Sequence, residues 1–224
     1  IWAGRPNNNA NPEAREWIPK IRKLVFEGRY REAQDMCTAH VKSATNQGMP
    51  YQPFGDLRIS FPGHGRYDNY YRELSLDSAR TVVRYSVDGV NYTRETFASF
   101  PDRVVITRIT SDRPGSVTFN ASLTTPHPDV MIASEGDEIT LSGISSNHEG
   151  LKGKVEFQGR VTALPKGGRM TSRDGVITVE NADEAVIYTS IATNFNNYKD
   201  ITADEEARAK EYLHKAVAKP YAQA

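Results

Sequence analysis

The sequence predicts a mainly β chain, an antiparallel β-sandwich of the supersandwich kind with an N-terminal αα-hairpin and a C-terminal linker helix. Three observations carry that expectation. From Leu57 onward the apolar period is two, clearest where Val117, Phe119, Ala121 and Leu123 alternate with Thr118, Asn120 and Ser122, the mark of a strand with one buried face. Turn signals recur at short intervals: Asp88-Gly89, Asp112-Arg113-Pro114-Gly115, Glu135-Gly136-Asp137, Gly167-Gly168 and Asp174-Gly175. No helix-period segment lies between the candidate strands, which argues against any parallel α/β design.

The elements follow in order. Asn11-Pro12-Glu13 starts a helix, because an Asn side chain caps free amides and Pro at the first helical position loses no hydrogen bond. Ile21, Leu24 and Val25 share one stripe, Pro19 marks a kink or a fresh start, and Gly28 supplies the left-handed stop. A second helix runs from about Tyr30 to Ala44, with Ala33, Cys37, His40, Val41 and Ala44 at spacings of three and four. Strands are expected near 57–62, 70–76, 80–87, 90–99, 103–111, 116–124, 138–145, 153–164, 175–181 and 184–193. A last helix spans Thr202 to about Ala218, capped by Thr202 and Asp204, with Glu205 and Glu206 at its positive end and Lys215 and Lys219 at its negative end. Pro220 then breaks it.

The expected organisation is therefore 1–50 as an N-terminal segment whose hairpin packs on the sandwich, 51–200 as the sandwich, and 201–224 as the start of a helical linker. The opening Ile1-Trp2-Ala3-Gly4-Arg5-Pro6 reads as internal to a longer protein.

Charge and cysteine usage narrow the function classes. Lys plus Arg number 28 and Asp plus Glu number 28, so no global field draws the chain to nucleic acid or an anionic membrane. No apolar run approaches the roughly 18 residues of a membrane span. Cys37 is the only cysteine, so there is neither a disulfide framework nor a Cys-based zinc site. Its spacing from Ala33 and Val41 reads as a small core residue.

Chemistry-bearing constellations are sparse. His40, His64, His127, His148 and His214 show no metal-ligand spacing, and His127-Pro128-Asp129 reads as a solvated loop. Asp56, Asp68 and Glu73 are the nearest to a carboxylate cluster, but they read as solvated or turn-forming groups, not an acid–base pair. No nucleophile elbow, phosphate loop or dinucleotide fingerprint is present. No catalytic residue, metal or cofactor is expected.

Aromatics are denser than chance in one place. Tyr51, Phe54, Phe61, Tyr67, Tyr70 and Tyr71 crowd together beside Gln52 and Asp56. Such rings fit an interface with another domain first and sugar contact second, because Tyr offers a large apolar area with a polar tip. Tyr51, Gln52, Asp56, Tyr70 and Tyr71 are the candidate substrate-binding residues.

Several stretches together resemble the N-terminal region of family 95 glycoside hydrolases, the α-L-fucosidase family. They are Trp2-Ala3-Gly4-Arg5-Pro6, then Arg22-Lys23-Leu24-Val25-Phe26-Glu27-Gly28-Arg29-Tyr30-Arg31-Glu32-Ala33, then Tyr51-Gln52-Pro53-Phe54-Gly55-Asp56-Leu57. Tyr71-Arg72-Glu73-Leu74-Ser75-Leu76-Asp77, Tyr92-Thr93-Arg94-Glu95-Thr96-Phe97-Ala98-Ser99-Phe100-Pro101-Asp102 and Ala192-Thr193-Asn194-Phe195 continue the match in order.

The resemblance implies a secreted or periplasmic parent enzyme that inverts the anomeric carbon of fucosylated oligosaccharides, with its acid and water-activating groups on an (α/α)6 barrel of the same polypeptide. None of those positions lies in this chain, so it is expected to be non-catalytic and to support the barrel. The same family includes α-L-galactosidases. The alternative is a stand-alone carbohydrate-binding or protein-interaction sandwich.

Overall fold

A computed structural model describes residues 1–43 and 48–223. Helix α1 (Ala14–Phe26) begins beyond Asn11, whose Oδ1 accepts the Glu13 amide at 3.0 Å, and it runs through Pro19 without a break. Gly28, at φ +74°, closes it: the Gly28 amide donates to Val25 O and the Arg29 amide to Leu24 O. Helix α2 (Tyr30–His40) packs back on α1. Trp17 stacks on His40 with ring centroids 3.5 Å apart, and Asn11 Nδ2 donates to the His40 carbonyl. The helix, expected to run to about Ala44, ends at His40 with Val41 as its C-cap, and Ala44 itself lies outside the described residues.

Cys37 is exposed, which corrects its reading as a core residue. A two-helix hairpin has a single seam, and α2 buries only Ala33 in it.

Among the described residues twelve strands form two antiparallel sheets, so the predicted sandwich is the observed architecture. They are β1 (Asp56–Ser60), β2 (Asp68–Ser75), β3 (Arg80–Val87), β4 (Val90–Ser99), β5 (Val104–Ser111), β6 (Val117–Thr124), β7 (Val130–Glu135), β8 (Glu138–Ile144), β9 (Glu156–Lys166), β10 (Arg169–Arg173), β11 (Val176–Ala182) and β12 (Glu184–Thr193). The small sheet has the order β1-β6-β11-β10 and the large sheet β2-β3-β4-β5-β12-β9-β8-β7. Strands β7 and β10 were not expected from the sequence. Each ends a sheet, and neither has a fully buried position, so apolar residues are too few to mark them in the sequence.

The core lies between the sheets. Phe119, Ala121, Ile177 and Val179 of the small sheet meet Ile109, Ile139, Leu141, Phe157, Val161 and Ile187 of the large one. His127, expected as solvated, is buried at 6% exposure; its Nε2 lies 2.9 Å from Pro53 O and its ring packs on Phe157. The Phe157 ring covers one side of His127, with ring centroids 4.9 Å apart.

Helix α3 (Glu205–Val217) covers the outer face of the large sheet. Asp204 caps it by accepting the Ala207 amide at 2.8 Å, whereas Thr202 turns back to Asp200. Leu213 and Ala216 seat on Val104, Ile106, Val186 and Tyr188, and Ser190 Oγ donates to the Ala209 carbonyl at 2.7 Å. A polar cluster lies beside this seat: Arg160, 4% exposed, reaches Glu138 at 2.8 Å and Glu135 at 2.9 Å, and donates through Nε to Gln158. His214 of α3 joins Glu138 at 2.6 Å.

Beyond α3, Lys219 and Ser99 both donate to the buried Asp102. Those hydrogen bonds, Lys219 first, hold the carboxyl below its ordinary value. A carboxylate favoured by folding contributes stability above its unfolded value and loses it as pH falls through the folded one. Stability against urea should therefore fall as pH drops below about 4, and Asp102→Asn should flatten that part of the profile. An unchanged slope in the variant would show that this tie adds no stability.

Candidate functional site

The two sheets differ in width. At about 4.8 Å per strand the large sheet is about 34 Å across and the small one about 14 Å, so half of the large sheet's inner face has no sheet over it. The register shows where cover stops. The cross-strand row Thr81–Thr96–Thr107–Ile187–Ala163 runs from the open side to the closed core, and so does the row Ala98–Val105–Thr189–Val161–Ile139. Val161 and Ile139 are fully buried, whereas Val105 is 40% exposed on the same row.

A continuous groove occupies this open face. One part, of about 390 Å³, lies between Leu57 and Ile59 of β1 and the Thr81, Val83, Thr96, Val105 and Thr107 positions of the large sheet. Val105 and Thr189 are shared with a second part, of about 560 Å³, which Ala98, Phe100, Pro101 and Ile191 extend. Ile191 leads into a third part beside Trp2, Tyr51, Phe54 and Phe195. Phe100 is 93% exposed and Trp2 54%, so large rings stand along the rim with nothing over them. Among the described residues no Asp or Glu lines any of the three parts.

Arg103 lines the second part of the groove, and the charge on its first part is Arg94. It stands on β4 in the row Val83–Arg94–Ile109, with its guanidinium 5.3 Å from the Phe61 ring and 5.7 Å from the Tyr85 ring. Behind it Tyr85 and Tyr92 stack at 5.4 Å, and His64 Nδ1 meets the Tyr85 hydroxyl at 3.0 Å. Burial, and then the nearby Arg94, hold the His64 imidazole below its ordinary value.

The candidate residues read from the sequence fall into separate places. Tyr51 is 73% exposed and makes an edge contact with Trp2 at 5.3 Å. Gln52 is engaged at both ends of its amide, donating to Ser146 Oγ at 2.8 Å and accepting from the Ser146 amide, so it ties the N-terminal strand-like segment to a distant loop. Asp56 is exposed on the edge strand β1 beside Arg58. Tyr70 and Tyr71 stand on β2, the edge of the other sheet, where Tyr70 meets Tyr67 and Tyr71 donates to Glu73. The structure joins Tyr51 and Gln52 to Trp2 and leaves Asp56, Tyr70 and Tyr71 on two other edges. Asp68 and Glu73 likewise lie on β2, apart from Asp56. Among the described residues no three His, Cys, Asp or Glu side chains are placed to hold a metal ion.

Sequence reasoning missed Val105, Phe100, Ile191 and Arg94. Val105 and Ile191 alternate like core positions, and only the unequal width of the sheets distinguishes them. Phe100 and Arg94 sit inside the Tyr92–Asp102 stretch and carried no separate signal.

The profile for "Glycosyl hydrolase family 65, N-terminal domain" matches residues 1–198. The chain belongs to that family. It is thus the N-terminal domain of a glycoside hydrolase, as the sequence resemblance implied, although the matching profile is that of family 65 and not of family 95. The chain is 32% identical over 221 residues to "Alpha-L-fucosidase 2" of Arabidopsis thaliana, covering 88% of this chain and 26% of that protein. It is 26% identical over 209 residues to "Probable alpha-fucosidase A" of Aspergillus niger, covering 87% and 25%. This glycoside hydrolase N-terminal domain spans about a quarter of the length of the curated relatives it matches. Among solved structures, "Putative kojibiose phosphorylase from human microbiome" is similar at 12% identity and a TM-score of 0.49, over 75% of this chain and 25% of that one.

Proposed function

We propose that this chain is the non-catalytic N-terminal domain of an exported, inverting α-L-fucosidase of the family 95 kind, docked by its open inner face on an (α/α)6 catalytic barrel of the same polypeptide. The observation that carries the specificity is the 32% identity to a protein named as an α-L-fucosidase, extending over nearly the whole chain. Docking is supported by the apolar groove, whose exposed rings and β-branched side chains resemble a sandwich core cut open. Residues 201–224 begin the link to the barrel, with α3 fixed on the opposite face of the sheet so that the groove stays clear of it. Trp2, Tyr51 and Gln52 then stand at the groove's far end, where the domain meets the rim of the substrate cleft.

By itself the domain is inert. Glycoside hydrolysis by inversion needs an acid and a base roughly 6.5–9.5 Å apart across one cleft, and the groove offers no carboxylate at all. The full-length polypeptide is expected to hydrolyse an aryl α-L-fucoside with inversion, followed by proton NMR of the released sugar, and residues 1–224 alone to release nothing. Turnover by residues 1–224, or a full-length enzyme that prefers the α-L-galactoside, would overturn the reading.

A further inference from the structure

We infer that the αα-hairpin is a folding unit of its own, an arm that opens and recloses while the sandwich stays shut.

Little holds its helical state. Helix α1 buries only Leu24 and α2 only Ala33, whereas Ile18, Val25, Phe26 and Tyr30 stand in solvent, Phe26 at 84% exposure. Neither Glu13 nor Arg29, the residues at the two N-cap positions, takes up a free amide with its side chain. Pro19 removes one amide donor from the interior of α1. The helices are 13 and 11 residues long, and isolated helices below about 12–15 residues are marginal in water even with favourable sequences. Helix α3 shows what the hairpin lacks. It also has 13 residues, yet Asp204 caps it and Ala209, Leu213 and Ala216 are buried along it, with Leu213 and Ala216 set against the large sheet.

The contacts the hairpin does make are internal. Trp17 stacks on His40 with Lys20 over its ring, Asn11 reaches the His40 carbonyl, and Arg29 bonds to Glu27 and Glu32. The ion pairs among them are exposed and add little. Among the described residues no hydrogen bond, ion pair or ring contact joins residues 11–41 to a strand, and no hairpin side chain enters the three apolar clusters of the sandwich. Opening the hairpin therefore exposes one short seam and leaves every clustered core residue covered. The arm is a two-state element: whatever binds its closed form shifts the balance of open and closed, and the sandwich does not change with it.

The test is amide hydrogen exchange of residues 1–224 followed residue by residue by NMR, with Leu24→Ala measured in parallel. Amides of α1 and α2 should exchange at least about 100-fold faster than those of the central strands β5, β9 and β12, because local opening reaches the first set and only global unfolding the second. Leu24→Ala removes the larger of the two buried side chains and should leave the hairpin amides unprotected, with exchange in the three strands and the urea midpoint of the sandwich unchanged. A smaller difference between hairpin and strands, whether both are fast or both slow, would overturn the inference, since the two would then open as one unit. So would faster strand exchange or a lowered sandwich midpoint in Leu24→Ala, either of which would show that the seam supports the sheets.

Discussion

Arg160→Ala is expected to lower the stability of the chain by about 3–5 kcal/mol, because it removes one member of a buried ionic cluster and leaves the others without a partner. The side chain of Arg160 is 5% exposed, and that of Glu138 14%. Without the guanidinium, Glu138 keeps only His214, which stands half in solvent, and Gln158 Oε1 loses its donor. Glu135 is more than half exposed and regains water, so its share of the loss is small. The penalty thus comes mainly from stranding a buried carboxylate and a buried amide oxygen.

A second substitution checks that cause. Arg160→Met combined with Glu138→Leu removes both charges together and should recover much of the loss, since an apolar pair of similar volume needs no partners. Urea unfolding followed by circular dichroism measures both variants. A loss below about 1 kcal/mol for Arg160→Ala would mean that water replaces the arginine, contrary to its burial under the edge of α3.

Phe157→Ala is expected to cost about 3–5 kcal/mol, the usual toll for truncating a fully buried phenylalanine. Phe157 is fully buried, meets the edge of Phe54 at 5.7 Å and packs on His127 at 4.9 Å. The space it fills is shaped from the other side by Gly143, where an added Cβ would lie 2.7 Å from the Phe157 ring and 2.9 Å from Val130. Gly143→Ala should therefore also destabilise, and Phe157→Leu should relieve part of that cost when the two are combined. Additive losses in the double variant would show that Gly143 is constrained by something other than this ring.

Much of the sandwich was legible because its signals are local. Period-two alternation in Val117–Thr124 matches a strand buried on every second residue, and the turn glycines mark the reversals. Gly28 stopped α1 where its left-handed preference said it would. The signals failed where burial depends on distant chain. Cys37 has helical spacing, yet no third element covers it; His127 sits in a loop, yet Pro53 and Phe157 enclose it. Edge strands β7 and β10 have no face buried enough to print an alternation.

The candidate site was less legible still. Five residues chosen for aromatic and polar chemistry proved to be spread over two sheet edges and the bridge to the N-terminal segment, because neighbours in sequence are carried apart when β1 joins one sheet and β2 the other. Gln52 is occupied by Ser146, a partner 94 positions away in sequence.

By itself the sequence determined the class of fold, its hairpin and its final helix, since propensity, period and caps act within a few residues. Motif order also determined the kinship with glycoside hydrolase N-terminal domains. Only the tertiary structure decided that eight strands face four. That mismatch is a property of strand pairing, not of any segment, and it turns the core-like positions Val105 and Ile191, with Arg94 among them, into an open surface.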